Sequence, residues 1–186
     1  MFRPTKELQR GFYKELDFTF QNYEIKFVET EEEYEETLKL RFQVFNIEMG
    51  EGLASSVETG KDEDEYDKYC DHLIVKDIEN NNKIVGTYRL LSKTDAQKGI
   101  GFYTETEFDI TNLKKIEGEI IELGRSCVHE DYRAKNVINM LWLGVARYTN
   151  NMSGKLLFGC GSIHTQNIDE ISRIFKYMKE KHWAGD

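Results

Sequence analysis

Residues 119–148 read EIIELGRSCVHEDYRAKNVINMLWLGVARY, and this stretch decides the fold class. Apolar side chains dominate residues 119–128, which predicts a β-strand, and residues 137–148 form an apolar run with almost no polar face, which predicts a deeply buried helix. Residues 156–160 predict a short central strand. Because a helix between two strands commonly crosses over between parallel neighbours, the sequence predicts a mixed α/β layer.

The residues before this unit predict further strands and a capped helix. Alternation at residues 23–27 predicts a strand, and residues 72–76 and 83–91 predict a hairpin closed by the asparagine-rich turn at 79–82. Residues 30–33 have the spacing of a capping box and open a helix. The buried stripe of this helix is predicted to be Tyr34, Leu38, Phe42 and Phe45.

Four segments have weaker patterns. Residues 4–16 and 168–181 predict amphipathic helices, and residues 102–117 predict a short irregular helical stretch. Residues 46–69 are rich in glycine, serine and acidic residues, which predicts a long flexible loop. Loops of that length in compact domains are often functional.

Length and composition indicate one soluble domain. The 186 residues suit a single domain over residues 1–186. The formal net charge of −9 argues against nucleic acid as a partner, because phosphates would be repelled. The odd cysteine count favours a reducing compartment, and charges interrupt residues 1–20, which argues against a signal peptide or a membrane span. We therefore expect a cytoplasmic protein, with peripheral contact at the inner face of the membrane left open.

Charged residues inside the predicted strands are informative. They are Arg89, Glu122 and Arg125. Taking such charges out of water is costly unless they pair or bind something, so they indicate either a structural ion-pair cluster or a functional site. Glu122 and Arg125 point to opposite faces of a regular strand, and a β-bulge near Gly124 would bring them to one side. A bulge would also leave a backbone N–H free to bind an oxyanion or an amide carbonyl.

Two other places in the sequence are expected to hold a negatively charged partner. Arg41 lies one turn from Leu38 and Phe45, so it is expected to be a buried guanidinium with a carboxylate or a ligand as its partner. Residues 132–138 lead from the strand into the helix, where free N–H groups and the helix dipole favour an anion. The alternative for these residues is an ordinary solvated turn with two basic side chains.

No metal site is expected. The cysteines and histidines at residues 70–72 and 160–164 match no familiar zinc spacing. The acidic run at residues 62–65 lacks the glycine and the regular ligand spacing of a calcium loop, and is expected to be solvated.

Seven short motifs together resemble a known family. They are DHLIV at 71–75, VGTYRLL at 85–91, EFD at 107–109, ELGRSCV at 122–128, YR at 132–133, LW at 141–142 and LFGC at 157–160. In this order and register, they are similar to the L-ornithine N-acyltransferases that make lyso-ornithine lipid, often labelled hemolysin-like. A more distant resemblance is to the acyl-homoserine-lactone synthases.

The resemblance implies a GNAT fold, which is the mixed central sheet flanked by helices of the acyl-CoA N-acyltransferases. It also implies transfer of a 3-hydroxyacyl group from acyl carrier protein to the α-amine of an amino acid such as ornithine. No cofactor is implied beyond the phosphopantetheine of the carrier protein or an acyl-CoA. Family members continue past the helix at 168–181 into further strands, so we expect the C-terminal strands to be lacking here.

The resemblance further implies roles for individual residues. Glu122 is the expected catalytic base, which takes a proton from the amine directly or through a water. The expected substrate-binding residues are Arg41, Phe45, Asp64, Asp67, Arg89 and Arg125. Asp71 competes with Asp64 and Asp67 for the same role. The residues expected to hold the pantetheine and the acyl donor are Val128, Arg133, Lys135, Asn136, Val137, Ile138 and Trp142.

Two alternative functions stay open. Most GNAT enzymes hold the pyrophosphate of coenzyme A with a glycine-bearing loop, and residues 133–138 contain no glycine. This departure favours a carrier-bound pantetheine over a coenzyme A-dependent acetyltransferase, since the pantetheine arm has only one phosphate. The other alternative is a noncatalytic acyl-binding module with an incomplete acceptor site.

Overall fold

The computed structural model describes residues 15–163 and 165–183. The helix predicted at residues 4–16 lies outside these residues except for its last two positions. Within the described residues, no helix combines the length and the apolar character that crossing a membrane requires.

Among the described residues, six strands form one sheet in which each strand pairs with the next along the chain. In order, they are β1 Phe18–Phe20, β2 Tyr23–Phe27, β3 Asp71–Asp77, β4 Lys83–Ser92, β5 Ile120–Val128 and β6 Leu156–Phe158. Neighbouring strands are antiparallel except β5 and β6, which run parallel. The predicted mixed sheet and the predicted crossover between parallel strands are therefore confirmed.

The last strand is an edge strand, so the prediction of a central strand at residues 156–160 is wrong. β6 contains three residues, all half-buried, and the residues after it are exposed. Among the described strands it pairs with β5 alone. A strand is buried on both sides only when a second neighbour covers its other edge, and position in the sheet is not visible in a local apolar run.

In the part of the chain that the structure describes, six α-helices accompany the sheet. They are α1 Glu31–Phe42, α2 Ser56–Thr59, α3 Lys93–Lys98, α4 Thr111–Lys114, α5 Val137–Asn151 and α6 Ile168–His182. A π-helical segment, Gln43–Glu48, extends α1, and short 3₁₀ turns occupy Asp67–Tyr69, Tyr103–Thr106 and Glu130–Tyr132. α5 makes the connection between β5 and β6.

Half of the predicted capping box is present at the start of α1. Thr30 Oγ1 accepts the backbone N–H of Glu33 at 3.1 Å. The Glu33 carboxylate does not return to Thr30 but accepts the backbone N–H of Glu29 at 3.0 Å and pairs with Lys76 at 2.8 Å. The lysine ammonium competes successfully for the carboxylate because a charge-assisted bond is stronger than a neutral one.

The buried face of α1 differs from the predicted stripe. Tyr34 and Leu38 are buried as predicted, but Phe42 and Phe45 are only half-buried. Arg41 is completely buried instead. The chain changes from α-helical to π-helical geometry after Phe42, which rotates Phe45 away from the position it would have on a regular helix.

The segment at residues 46–69 is not the structureless loop that its composition predicts. It contains the end of the π-helical segment, α2 and one 3₁₀ turn. Asp62 and Asp67 within it are 0% and 2% exposed. The segment is ordered because these carboxylates are ion-paired inside the protein, and glycine and serine content does not report such pairing.

The two faces of the sheet are covered by different helices. α5 packs on one face with Val75, Val85 and Leu123, and α1 packs on the other face with Ile74 and Cys127. α5 is buried on one side only. On its other side, Ile138, Trp142 and Leu143 are 40%, 46% and 47% exposed. The prediction of a deeply buried helix is wrong for this outer side, since no described element packs over it.

The chain just after β6 approaches β5 so closely that only glycine fits. A Cβ added to Gly159 would lie 2.2 Å from the carbonyl oxygen of Leu123, which is a fixed backbone atom. The recorded pairing of β5 and β6 ends at Glu122 and Phe158, one residue before this contact. Gly159 therefore sets how closely the two strands approach at the point where their pairing ends.

We expect Gly159→Ala to lower the free energy of unfolding by about 1–3 kcal/mol, because the added methyl group must push β6 away from β5. Gly161→Ala is the matched control, since a Cβ there meets nothing within 4 Å. Chemical denaturation of both variants measures the effect. Equal stability of the two variants would contradict the close approach.

Candidate active site

A β-bulge on β5 is present where the sequence predicts one. Thr87 pairs with Cys127 and Arg89 pairs with Gly124, so β5 contains one more residue than β4 across this interval. Arg125 has the left-handed φ of 48°. Leu123 belongs to the core on the α5 side and Cys127 to the core on the α1 side, although a regular strand would place both on one face. The bulge thus brings Glu122 and Arg125 to the α1 side.

Arg41 lies at the centre of a buried ion cluster. Its Nη1 donates to Asp67 Oδ1 at 2.7 Å and its Nη2 to Asp67 Oδ2 at 3.1 Å, which is a bidentate pair. Its Nε donates to Asp62 Oδ1 at 2.8 Å. All three side chains are 0% exposed. The predicted buried guanidinium with a carboxylate partner is confirmed.

Arg89 joins the same cluster from β4. Its Nη1 donates to Asp64 Oδ1 at 2.7 Å and to Asp67 Oδ1 at 3.0 Å. Its guanidinium lies 6.0 Å from the centre of the Tyr66 ring. Asp67 therefore binds both Arg41 and Arg89 and connects α1 to the sheet.

Arg125 occupies the rim of the cluster. Its Nε lies 3.4 Å from Asp62 Oδ1, and its guanidinium stands 5.3 Å from the centre of the Phe45 ring. Its side chain is 22% exposed, against 0% for Arg41 and 7% for Arg89. Arg125 is the arginine of the three that a ligand from solvent can reach.

The charges in the cluster balance, with three arginines against Asp62, Asp64 and Asp67. Burial alone would raise the pKa of Asp67, but the charges of Arg41 and Arg89 outweigh it and hold this pKa below its ordinary value. Burial lowers the pKa of the neighbouring His72 to about 4 against the opposing charge of Asp67. His72 is thus neutral at pH 7 and adds no charge.

The structure distinguishes the competing aspartates. Asp64 and Asp67 lie in the cluster, whereas the Asp71 carboxylate accepts the hydroxyl of Tyr148 on α5 at 2.7 Å. Asp62 was missed by the sequence analysis, which assigned residues 62–65 to a solvated charge run. That assignment is wrong for Asp62 and Asp64, whose side chains are 0% and 16% exposed and pair with arginines. A local pattern cannot show which acids pair with distant arginines.

Glu122 holds a turn of the chain. Its Oε1 accepts the N–H of Thr104 at 2.6 Å and the hydroxyl of Thr104 at 2.5 Å, and its Oε2 accepts the N–H of Tyr103 at 3.0 Å. Glu122 is 6% exposed. Both carboxylate oxygens therefore already have donors from the turn Tyr103–Thr106.

The residues predicted to hold the donor surround the start of α5, and several have partners within the chain. Arg133 Nε donates to the carbonyl of Val128 at 3.1 Å, and Arg133 also pairs with Glu48. The Lys135 ammonium lies 4.1 Å from the centre of the Tyr132 ring. Val137 is completely buried, so of the predicted donor-binding side chains Ile138 and Trp142 offer the apolar surface.

Asn136 supplies the turn before α5. It has a φ of 60°, the left-handed conformation that glycine or asparagine adopts most easily. The absence of glycine from residues 133–138 therefore does not prevent the chain from turning tightly into the helix. The first N–H groups of α5 lie at this turn, as in other helix starts that bind anions.

The candidate site is open between β5 and β6. Their recorded pairing ends at Glu122 with Phe158, although β5 continues to Val128. The bulge at Arg125 lies within this unpaired length. Among the described residues, no group of three or more His, Cys, Asp or Glu side chains is arranged to hold a metal ion.

We expect Arg41→Met to lower the free energy of unfolding by about 3–5 kcal/mol, because it leaves Asp62 and Asp67 as buried charges without their main partner. Lys39→Met is the control on the same helix, with a side chain that is 59% exposed. Its stability should change by less than about 0.5 kcal/mol. Denaturant titration measures both, and similar small losses would contradict the central place of Arg41.

Comparison with known proteins identifies relatives. The model of the acetyltransferase (GNAT) domain family matches residues 40–143. The chain is 41% identical over 134 residues to the L-ornithine N(alpha)-acyltransferase of Brucella abortus, an alignment covering 68% of this chain and 47% of that protein. It is 33% identical over 171 residues to the enzyme of that name from Rhodobacter capsulatus, covering 89% of this chain and 66% of that protein.

The chain spans 47–66% of the length of the curated relatives that it matches. Among solved structures, the fold resembles FeeM, an N-acyl amino acid synthase from uncultured soil microbes, with a TM-score of 0.55 and 9% identity over 73% of this chain and 70% of that chain. At this identity the likeness concerns the fold alone. The sheet, the bulged strand and the matched family model, which covers more than half of the residues, lead to one conclusion: the chain belongs to the GNAT acetyltransferase-domain family.

Proposed function

We propose that this protein is an N-acyltransferase that transfers a 3-hydroxyacyl group from acyl carrier protein to the α-amine of an amino acid such as ornithine. The observation that carries the proposal is the similarity to four proteins named L-ornithine N(alpha)-acyltransferase, at 33–41% identity. The residues matched by the GNAT-domain model, 40–143, include the bulged strand and the ion cluster.

The acceptor amino acid binds at Arg125 in this proposal. Its α-carboxylate needs a cation that is not already saturated, and Arg41 and Arg89 are buried with their carboxylate partners. Arg125 is partly exposed, and its long contact of 3.4 Å with Asp62 uses only the Nε side of the guanidinium. Its terminal N–H groups can bind a carboxylate in the forked geometry that arginine favours.

The acyl donor enters between β5 and β6. The bulge at Arg125 interrupts the pairing of β5 with β4, and the backbone N–H that a bulge leaves out of the ladder would bind the thioester carbonyl. The start of α5 at Val137 would accept the phosphate of the pantetheine arm. The exposed Ile138 and Trp142 offer apolar surface for the donor on the outer side of the same helix.

The reaction joins the amine nitrogen to the thioester carbonyl carbon and releases a thiol. The amine must lose a proton before or during attack, which calls for a base near the bulge. The sequence predicts that Glu122 is this base. Both Glu122 oxygens already accept hydrogen bonds from Tyr103 or Thr104, so an amine that approaches Glu122 shares an oxygen with one of these donors.

A coenzyme A thioester is the second candidate for the donor. The observation that favours it is the left-handed Asn136, which allows the tight turn into α5 that glycine allows in other GNAT enzymes. The acyl group and the acceptor would be those of the first candidate, and only the carrier of the thioester would change from carrier protein to coenzyme A.

A product assay tests the proposal. The chain is incubated with 3-hydroxyacyl carrier protein or 3-hydroxyacyl-CoA and a panel of amino acids, and products are identified by mass. We expect an N-acyl amino acid with the carrier protein as the preferred donor. Preference for the CoA thioester would favour the second candidate, and binding of the donor without any product would favour a noncatalytic acyl-binding module.

We expect Arg125→Met to raise the KM for the amino acid by about 10–100-fold, since charge-assisted hydrogen bonds contribute about 1.5–3 kcal/mol each. The variant should also lose the preference for ornithine over the matching diamine without a carboxylate. Arg173→Met on the exposed helix α6 is the matched control. Initial rates with both acceptors measure the effect, and an unchanged preference in Arg125→Met would exclude Arg125 as the carboxylate site.

A further inference from the structure

We propose that Tyr103 and Glu107 form the proton-transfer couple of this site and that Glu122 is the residue that positions Tyr103. The inference rests on the proposed acyl transfer and names the groups that move its proton. It differs from the sequence prediction, in which Glu122 itself takes the proton.

The couple is a single short hydrogen bond at the surface of the site. The Tyr103 hydroxyl donates to Glu107 Oε1 at 2.5 Å, a distance typical of strong O–H···O⁻ bonds. The two residues are four apart in sequence and lie at either end of the turn Tyr103–Thr106. Tyr103 is 37% exposed, so its hydroxyl is accessible to a bound substrate.

Two contacts place the turn that carries this hydroxyl next to the ion cluster and the end of β6. The Tyr103 ring packs edge-on against Tyr66 at 5.7 Å, and Tyr66 lies against Arg89 of the ion cluster. The thiol of Cys160, two residues beyond β6, lies 3.7 Å from the Thr104 hydroxyl. The positive charge of Arg125, the proposed carboxylate site, acts against Glu107 and lowers the pKa of the Tyr103 hydroxyl.

Glu122 has the geometry of a positioning residue. Its three accepted hydrogen bonds come from Tyr103 and Thr104, and two of them come from backbone N–H groups that cannot turn away. These bonds fix the first turn of the segment that carries Tyr103. A carboxylate that accepts these three bonds holds the backbone of Tyr103 and Thr104 in place.

Tyr103 and Glu107 can together carry the proton that the reaction moves. As the neutral amine nitrogen attacks the thioester carbonyl carbon, the nitrogen proton passes to the Tyr103 oxygen and the phenolic proton passes to Glu107. When the carbon–sulfur bond breaks, the proton returns from Glu107 through Tyr103 to the sulfur. One proton moves from nitrogen to sulfur, and the products are an amide and a free thiol.

The hydrogen bond to Glu107 also keeps the phenol in the form that this relay needs. This bond, with burial, raises the pKa of Tyr103 to about 12. Tyr103 therefore carries its proton throughout the neutral pH range and can donate to Glu107 at the moment it accepts from the amine.

We expect Tyr103→Phe to reduce the single-turnover rate of N-acylation by about 100–1,000-fold, within the range of a positioned acid–base group. The KM for the amino acid and the melting temperature should stay within about twofold and 2 °C of the wild type, since the phenyl ring retains the packing against Tyr66. Tyr177→Phe on α6, an exposed tyrosine far along the chain, is the matched control.

A second readout does not depend on activity. The difference between the ultraviolet titration curves of the wild type and Tyr103→Phe isolates the Tyr103 phenol. Glu107→Gln should lower its midpoint, because the variant removes the negative charge that opposes ionisation. An unchanged midpoint would overturn the couple whatever the rates are.

A double-mutant cycle separates the two roles of Glu122. If Glu122 only positions Tyr103, Glu122→Gln should lose rate without rescue at high pH, and adding it to Tyr103→Phe should cost little more. If Glu122 is the base, its loss should add fully to that of Tyr103→Phe, and high pH should restore part of the rate. The second pattern, or full activity of Tyr103→Phe in an active enzyme, overturns this inference alone. A wild-type chain that acylates no amino acid overturns the proposed function and this role with it.

Discussion

The contact of Arg41 with Asp62 and Asp67 is the constraint on which the other parts of the site depend. A guanidinium that is 0% exposed has to find acceptors for its N–H groups inside the protein, and both carboxylates come from the segment at residues 46–69. That segment has too few apolar residues to fold by burial, so the ion pairs determine its path. Buried ion pairs are seldom more stabilising than an apolar core, which is consistent with a role in fixing one arrangement.

The bulge in β5 is the second constraint, and it acts on geometry rather than on charge. A strand without it would place Glu122 and Arg125 on opposite faces, one towards α1 and the other towards α5. One additional residue moves Arg125 to the α1 side, where it reaches Asp62 at 3.4 Å. The ion pair between Arg125 and Asp62 therefore stabilises the bulge, and the bulge supplies the third arginine of the cluster.

Much of this fold was predictable because its causes are local in sequence. Apolar runs and alternation located the strands from β2 to β6 and α5, although they missed β1, and the conflict between Glu122 and Arg125 located the bulge. Features that depend on distant partners were not predictable. Asp62 looks solvated because Arg41 lies 21 residues away, and the importance of Tyr103 is invisible because Glu122 lies 19 residues beyond it. The edge position of β6 likewise follows from sheet order, which no local pattern contains.

One strand connects all the parts of the proposed reaction. Glu122, Arg125 and Val128 follow each other along β5 at a rise of about 3.3 Å per residue, so the turn that carries Tyr103, the carboxylate site and the entrance for the donor lie within about 20 Å. Inside the cluster every arginine charge is matched by an aspartate, and the net field on a substrate from these groups is small. The groups left to act are those at the rim, where Arg125 and Tyr103 are partly exposed. The buried ion pairs therefore define the shape of the site, and the partly exposed Arg125 and Tyr103 are positioned to take part in its chemistry.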